Sequence, residues 1–187
     1  MKNSGTVRME TKRLVLRPFV IEDAGAMFRN WANDPQVTKF LSWEPHKDVE
    51  ETKKILEGWI ASYESKDFYT WAIAWREDEG NVIGSIAVPQ LNQKAGRVTV
   101  GYCLGRKWWG NGIMKEAFAE LIRFFFEVEG ANRVEALHDT RNVNSGKVMA
   151  ACGLKKEGTL RRYGWNNQGI CDECIYGMVA SDYFEGK

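Results

Sequence analysis

Residues 98–116, VTVGYCLGRKWWGNGIMKE, restrict the possible folds of this chain more than any other stretch. A strand ends near Leu104, a glycine-containing loop follows, and a helix begins at Gly112. Ile113, Ala117, Phe118, Leu121, Ile122, Phe125 and Val128 then recur at helical spacing over 113–128, and Gly130 is a natural stop. RVEALH at 133–138 reads as the next strand. Strands 97–104 and 133–138 flank one helix, which predicts parallel neighbours joined by a right-handed crossover. The same stretch has a chemical consequence. The first turn of a helix carries unpaired N–H groups and a partial positive charge. Glycines at 110 and 112 let a ligand approach the backbone with no Cβ in the way. Together these predict an anion site suited to a phosphate or pyrophosphate.

The remaining pattern supplies the frame. RLVLR at 13–17 alternates as a half-buried strand, and Pro18 limits its continuation. Residues 22–32 predict a short helix, 33–48 a loop with two prolines, and 48–64 an amphipathic helix with Asp48 as its N-cap. Strands at 68–76, 81–88 and 97–104 form an antiparallel meander, with turns at Asp78–Asn81 and Asn92–Gly96. After 133–138 come a helix at about 144–151, ending at Gly153, and two strands near 157–164 and 170–179 joined by Gly164–Gly169. The order β-α-α-β-β-β-α-β-α-β-β predicts an α+β (mixed α/β) class. Its sheet has about seven strands, mostly antiparallel with one parallel pair, and about four flanking helices. A length of 187 residues suits one domain, 1–187, with its core at about 9–180.

Three kinds of phosphate loop compete for 105–115. A nucleotide-hydrolysing loop needs Gly-x4-Gly-Lys-Ser/Thr. Gly105 and Gly110 have the spacing, but Asn111 and Gly112 stand where the lysine and hydroxyl belong. A dinucleotide fingerprint, Gly-x-Gly-x-x-Gly, would need a glycine at Lys115. The third form is Gln/Arg-x-x-Gly-x-Gly/Ala. Lys107-Trp108-Trp109-Gly110-Asn111-Gly112 matches it, with lysine in the first place. In this form the loop resembles that of the GNAT superfamily of N-acetyltransferases. The likeness is closest to the branch that includes ribosomal-protein N-terminal acetyltransferases. Gly101-Tyr102-x-Leu104 before the loop and Lys115-Glu116-Ala117 after it extend the resemblance, as do Asn142-x-x-Ser145 and Cys152-Gly153-Leu154 downstream. Thr11-Lys12-Arg13-Leu14-x-Leu16-Arg17 resembles the first strand of this branch. Glu157-Gly158-x-Leu160-Arg161 and Asp172-x-x-x-Tyr176 resemble its last two strands.

The resemblance implies the GNAT fold, with the parallel pair splayed around an acyl-CoA site, and acetyl-CoA as co-substrate. It implies that backbone N–H groups from about Lys107 to Ile113 hold the pyrophosphate, and that the pantetheine arm pairs with the free edge of strand 98–104. The donor site then comprises Tyr102, Cys103, Leu104, Lys107, Trp109, Gly110, Asn111, Gly112 and Ile113, with Asn142 and Ser145. Arg106, Lys107 and Lys115 either add positive charge or are solvated. The acceptor side, by the same resemblance, falls to the loop with Trp43, Glu44 and His46 and to the 164–169 hairpin.

The implied reaction is direct attack of a neutral amine on the thioester, which needs a base for the amine and a donor for the leaving thiolate. Many family members place an acid tyrosine four residues before the closing glycine of the Asn motif; here that position is Met149. Ser145 matches a serine that sits near the sulfur in the branch this chain resembles, although Asn142 or Ser145 is also a plausible helix cap. The fourth-strand glutamate that some members use as a base is replaced by Thr99, leaving His138, Glu135 and Asp172 as candidates. An imidazole's ordinary pKa near ~6.5 suits His138 to that task. A non-catalytic acyl-CoA-binding protein of the same fold is the alternative that Met149 keeps open.

Composition excludes other classes. Net charge is +1, from 26 basic and 25 acidic residues, which argues against a nucleic-acid binder. No apolar run reaches the roughly 20 residues that span a bilayer, and no apolar stretch follows the N-terminal charges. A cytoplasmic enzyme, monomeric or homodimeric, is expected. Its partners are acetyl-CoA and an amine acceptor, either a peptide N-terminus or a small molecule. Cys103, Cys152, Cys171 and Cys174 show no disulfide framework. Cys171 and Cys174 lie three apart on a strand, pointing to opposite faces, so no metal site is expected.

Overall fold

A computed structural model describes residues 1–186. The chain opens with a two-residue strand, β1 (Met9–Glu10), paired antiparallel with β2 (Leu14–Arg17). One irregular helical run then covers 21–32: a tight turn at Ile21–Asp23, α1 (Ala24–Met27), and a wider turn at Phe28–Ala32. The predicted loop at 33–48 contains a one-turn helix, α2 (Pro35–Thr38). Asp34 caps it by accepting the Gln36 N–H, and Pro35 occupies the first turn, where no N–H is needed. Helix α3 (Val49–Ser62) begins where expected, with the Asp48 side chain accepting the Glu51 N–H.

The meander follows as β3 (Thr70–Trp75), β4 (Asp78–Asn92) and β5 (Arg97–Leu104). Its first turn differs from expectation. It sits at residues 76–77, and Asp78–Asn81 is already strand, since Arg17 Nη2 holds the Glu79 carbonyl at 2.6 Å and Arg8 holds the Glu79 carboxylate. Helix α4 (Ile113–Arg123) continues as a wider turn through Glu129 and stops at Gly130, whose φ of 70° is left-handed. Then come β6 (Arg133–Asp139), α5 (Val143–Ala151), β7 (Lys155–Asn166), β8 (Gly169–Val179) and α6 (Ala180–Glu185).

The eight strands form one sheet in the order β1-β2-β3-β4-β5-β6-β8-β7. Only β5 and β6 run parallel among the described strands. The eighth strand, β1, is too short to leave an alternation signal, and α2 and α6 are too short for a helical one.

Both faces of the sheet are covered. Leu14, Leu16, Trp71, Ile73, Val98 and Val100 pack beneath Phe118, Leu121 and Phe125 of the α4 run. Val15, Ala72, Ala74 and Val82 face the other way, against Met27, Trp31 and Leu56 from the α1 and α3 side. Alternate residues of β2 and β3 thus enter two cores, which is why those strands read as nearly unbroken apolar runs.

Candidate active site

The parallel pairing of β5 with β6 ends at Val100 and Ala136. Beyond it, Gly101–Leu104 stay hydrogen-bonded to β4, while β6 continues alongside β8 to Asp139. The strands part, and one edge of Gly101–Leu104 is left without a strand partner. A cavity of about 670 Å³ opens at the gap. Tyr102, Cys103 and Leu104 form one wall, and Trp108, Trp109 and Gly110 with the first turn of α4 form another. The start of α5, from Asn142 to Ser145, closes a third side, and residues of the Gln36–Leu41 segment a fourth.

The glycine loop suits close approach by a ligand. Gly110 and Gly112 have φ of 77° and 71°, the left-handed region that side chains resist, and a Cβ at Gly110 would meet nothing within 4 Å. Gly112 is the N-cap of α4 and offers no side chain to cap it. The N–H groups of the first turn are therefore unfilled by the helix. Gly112, Ile113, Met114 and Lys115 all line the cavity, which places those donors and the positive end of the helix dipole against it. Lys107 and Asn111 are not among the lining residues. Lys107 lies over the Trp108 ring at 5.5 Å, and Arg106 is paired with Asp34 at 3.0 Å.

Asn142 stands at the N-cap of α5, yet its side chain makes no capping bond, so it is available to the cavity. Ser145 faces the same space. Tyr102 reaches across the gap between the strands: its hydroxyl lies 3.0 Å from Ser145 Oγ and 3.0 Å from the Ser145 carbonyl oxygen. Burial pushes the Tyr102 phenol well above its ordinary range, against the lowering effect of the Ser145 bond, so it keeps its proton at any working pH. Met149 is buried in the core, 1% exposed.

The three base candidates lie elsewhere. The Glu135 carboxylate accepts from Thr99 at 2.9 Å and from Arg133 at 2.7 Å, on the paired stretch of β6. Asp172 accepts the Arg162 N–H. His138 lies behind α5, in a separate pocket of about 280 Å³ shared with Gly146, Lys147, Cys174 and Tyr176. Its Nδ1 donates to the Asp139 carbonyl at 2.7 Å, while Nε2 is buried without a protein partner against Gly146, where a Cβ would stand 2.6 Å from it. None of the three is among the described residues lining the cavity that holds Ser145.

No Asp, Glu or His is among the described residues lining that cavity, whereas Lys39, Lys115, Arg141 and Lys147 are. Arg141 is held in place by Asp139, whose side chain is 1% exposed and accepts from Arg141 Nη2 at 2.6 Å and from Asn166 at 2.8 Å. Those hydrogen bonds from Arg141 and Asn166 keep the Asp139 carboxyl far below the usual carboxylate range despite its burial. On the acceptor side, Trp43 packs on His46, His46 Nδ1 lies 2.8 Å from Thr52 Oγ1, and Glu44 is exposed; none of Trp43, Glu44 and His46 is among the described residues lining the cavity. The cavity meets residues 36–41 instead, which composition alone did not single out. Asn167, in the β7–β8 turn, ties that wall down by donating to the carbonyls of Thr38 at 2.9 Å and Trp43 at 2.7 Å. Among the described residues no group of three or more His, Cys, Asp or Glu could hold a metal ion, and no helix is long and apolar enough to cross a membrane.

A strand pair splayed at a cavity, with a glycine-lined helix start on one wall and hydroxyls on another, defines an acyl-CoA-dependent N-acyltransferase. The family described as Acetyltransferase (GNAT) domain matches residues 13–155, and the chain belongs to it. It is an acetyltransferase that uses acetyl-CoA as acyl donor and an amine as acceptor. The chain is 32% identical over 171 residues to the uncharacterised N-acetyltransferase YoaA of Bacillus subtilis (strain 168), covering 91% of this chain and 96% of that one. It is 27% identical over 192 residues to the [ribosomal protein uS5]-alanine N-acetyltransferase of Escherichia coli (strain K12), covering 99% and 97%. The crystal structure of the microcin C7 self-immunity acetyltransferase MccE, in complex with acetyl-CoA and AMP, shares the fold. Its TM-score is 0.81 at 18% identity, over 90% of this chain and 93% of that one.

Proposed function

We propose that this enzyme, acting in the cytoplasm as one GNAT domain, acetylates α-amines at the N-terminus of a protein or peptide by direct transfer. The observation that carries this reading is the absence of any carboxylate or imidazole among the described residues lining the cavity. An α-amine has a pKa of about 7.8 and a lysine side chain about 10.4. Holding each neutral at pH 7 costs roughly 1.1 and 4.6 kcal/mol, at about 1.36 kcal/mol per unit. Without a side-chain base, water must take the proton, and only the smaller cost is readily met. The same lining, with three lysines beside an arginine already paired with Asp139, disfavours polycationic acceptors such as polyamines. Likeness to a uS5-alanine acetyltransferase over nearly the full length supports the same reading.

The chain's own groups divide the work. Backbone N–H groups from Gly110 to Lys115 hold the pyrophosphate, and the free edge of Gly101–Leu104 orients the pantetheine arm. The amine nitrogen bonds to the carbonyl carbon, the carbon–sulfur bond breaks, and the amine's proton leaves through water. Ser145 Oγ donates a hydrogen bond to the departing sulfur, and the Tyr102 hydroxyl, 3.0 Å from both Ser145 Oγ and the Ser145 carbonyl oxygen, turns its one proton toward Oγ as it does so. Burial pushes the Cys103 thiol up to about 11 and its Sγ lies 3.2 Å from Ser85 Oγ, which disfavours it as an acyl carrier and fits direct transfer.

The test is a competition between peptides with a free N-terminus and peptides blocked there but carrying lysine, with acetylation located by mass spectrometry. N-terminal modification is expected at neutral pH. Preferential lysine modification would refute the acceptor class.

A further inference from the structure

Arg13 lies against the glycine loop and is not among the described residues lining the cavity. It sits in the connection from β1 to β2, about a hundred residues from the loop in sequence. Its Nη1 donates to the Asn111 carbonyl oxygen at 3.2 Å, and its Nη2 comes 3.8 Å from where a Cβ of Gly112 would stand. The guanidinium is itself fixed. Glu116, on the first turn of α4, accepts from Arg13 Nε at 2.7 Å and from the Arg13 backbone N–H at 2.8 Å, and Thr11 Oγ1 donates to the same carboxylate at 2.6 Å.

The carbonyl of Asn111 and the N–H of Gly112 belong to one trans peptide, so they point in opposite directions. Holding the carbonyl toward Arg13 turns the Gly112 N–H the other way. The lining agrees: Gly112 borders the cavity and Asn111 does not. We propose that Arg13 is a positioning residue for the acyl donor. It locks the Asn111–Gly112 peptide so that the N–H faces the pyrophosphate and the carbonyl dipole faces away. Its anchor, Glu116, moves with α4, so the lock and the helix start stay in register. This inference rests on the reading of the glycine loop as the pyrophosphate cradle.

The experiment measures binding of acetyl-CoA and of S-acetylpantetheine, which has the thioester arm but no pyrophosphate, by calorimetry and competition on full-length protein. Arg13→Ala is expected to weaken acetyl-CoA about tenfold, the scale of one charge-assisted hydrogen bond, and to leave S-acetylpantetheine within about twofold. Arg13→Lys, which keeps the charge but not the fork, recovers part of the loss. Equal weakening of both thioesters, or unchanged acetyl-CoA affinity, would overturn the proposal. Should Arg13→Ala not fold, Arg13→Lys carries the test: it is expected to weaken acetyl-CoA by about threefold and to leave S-acetylpantetheine unchanged, and unchanged acetyl-CoA affinity overturns the proposal equally. Failure of the underlying reading looks different, since Gly112→Glu would then bind acetyl-CoA as tightly as wild type.

Discussion

Tyr102→Phe removes a single oxygen, the one that lies 3.0 Å from Ser145 Oγ. With it goes the hydroxyl that can turn its proton to Ser145 Oγ as the thiolate forms. Steady-state kinetics should show kcat lowered about tenfold with KM for acetyl-CoA little changed, because that support strengthens as charge develops on the sulfur. Ser145→Ala should lower kcat by about 10²-fold. Because Tyr102 acts through Ser145, the double variant should be no slower than Ser145→Ala alone. A second residue-scale test concerns Glu116. Burial alone would raise its carboxyl, but hydrogen bonds from Thr11 and Arg13 outweigh that and hold it below the ordinary value. The folded chain thus binds fewer protons at this group than the unfolded chain. Its stabilisation is complete above the unfolded value of about 4.3 and is lost as pH falls through the folded one. Denaturant midpoints for wild type and Glu116→Gln should therefore differ at pH 7 and converge well below pH 4. The Tyr102 motif was legible in the sequence; its partner across 43 residues was not, since a hydroxyl's neighbour depends on the splay of two strands.

At the scale of elements, α5 is positioned by what lies beneath it. Gly146 rests on His138, and a Cβ there would come to 2.6 Å from Nε2 and 3.0 Å from Cε1. Gly146→Ala should destabilise the protein by about 1–3 kcal/mol, the usual cost of overpacking, and lower kcat by shifting Ser145 next to it. Thermal melts would show the loss, and His138→Ala in the same chain should restore part of it. Such a result would give His138 a packing role beneath α5. The start of α3 was readable from its local cap, Asp48, whereas α2, capped just as locally by Asp34, is a single turn with no apolar period to announce it. The turn at residues 76–77 was not, because Arg8 and Arg17, both distant in sequence, decide where β4 begins.

For the molecule as a whole, the cavity depends on contact between segments from opposite ends of the chain. Asn167 holds the carbonyls of Thr38 and Trp43, so the β7–β8 turn braces one wall of the cavity. Asn167→Ala should raise KM for the acceptor by about tenfold, the equivalent of one or two lost hydrogen bonds, and leave acetyl-CoA affinity within about twofold. Separate titrations of the two substrates in steady-state assays would check this. Equal loss for both would mean that the turn supports the sheet rather than the acceptor wall.

The sequence by itself determined the crossover unit, the glycine loop at the start of α4 and the class of fold, each written in local signals of apolar period and glycine placement. Asn142 and Ser145 stood out only through their resemblance to a family motif. Only the tertiary structure decided which of the polar candidates share a space. Glu135 is drawn to Arg133 and Thr99, and His138 is shut behind α5, while Tyr102 meets Ser145 and Arg13 meets Asn111. Those pairings depend on where β5 leaves β6 and on which loops the sheet brings together, distances that no pattern within a short stretch of chain encodes.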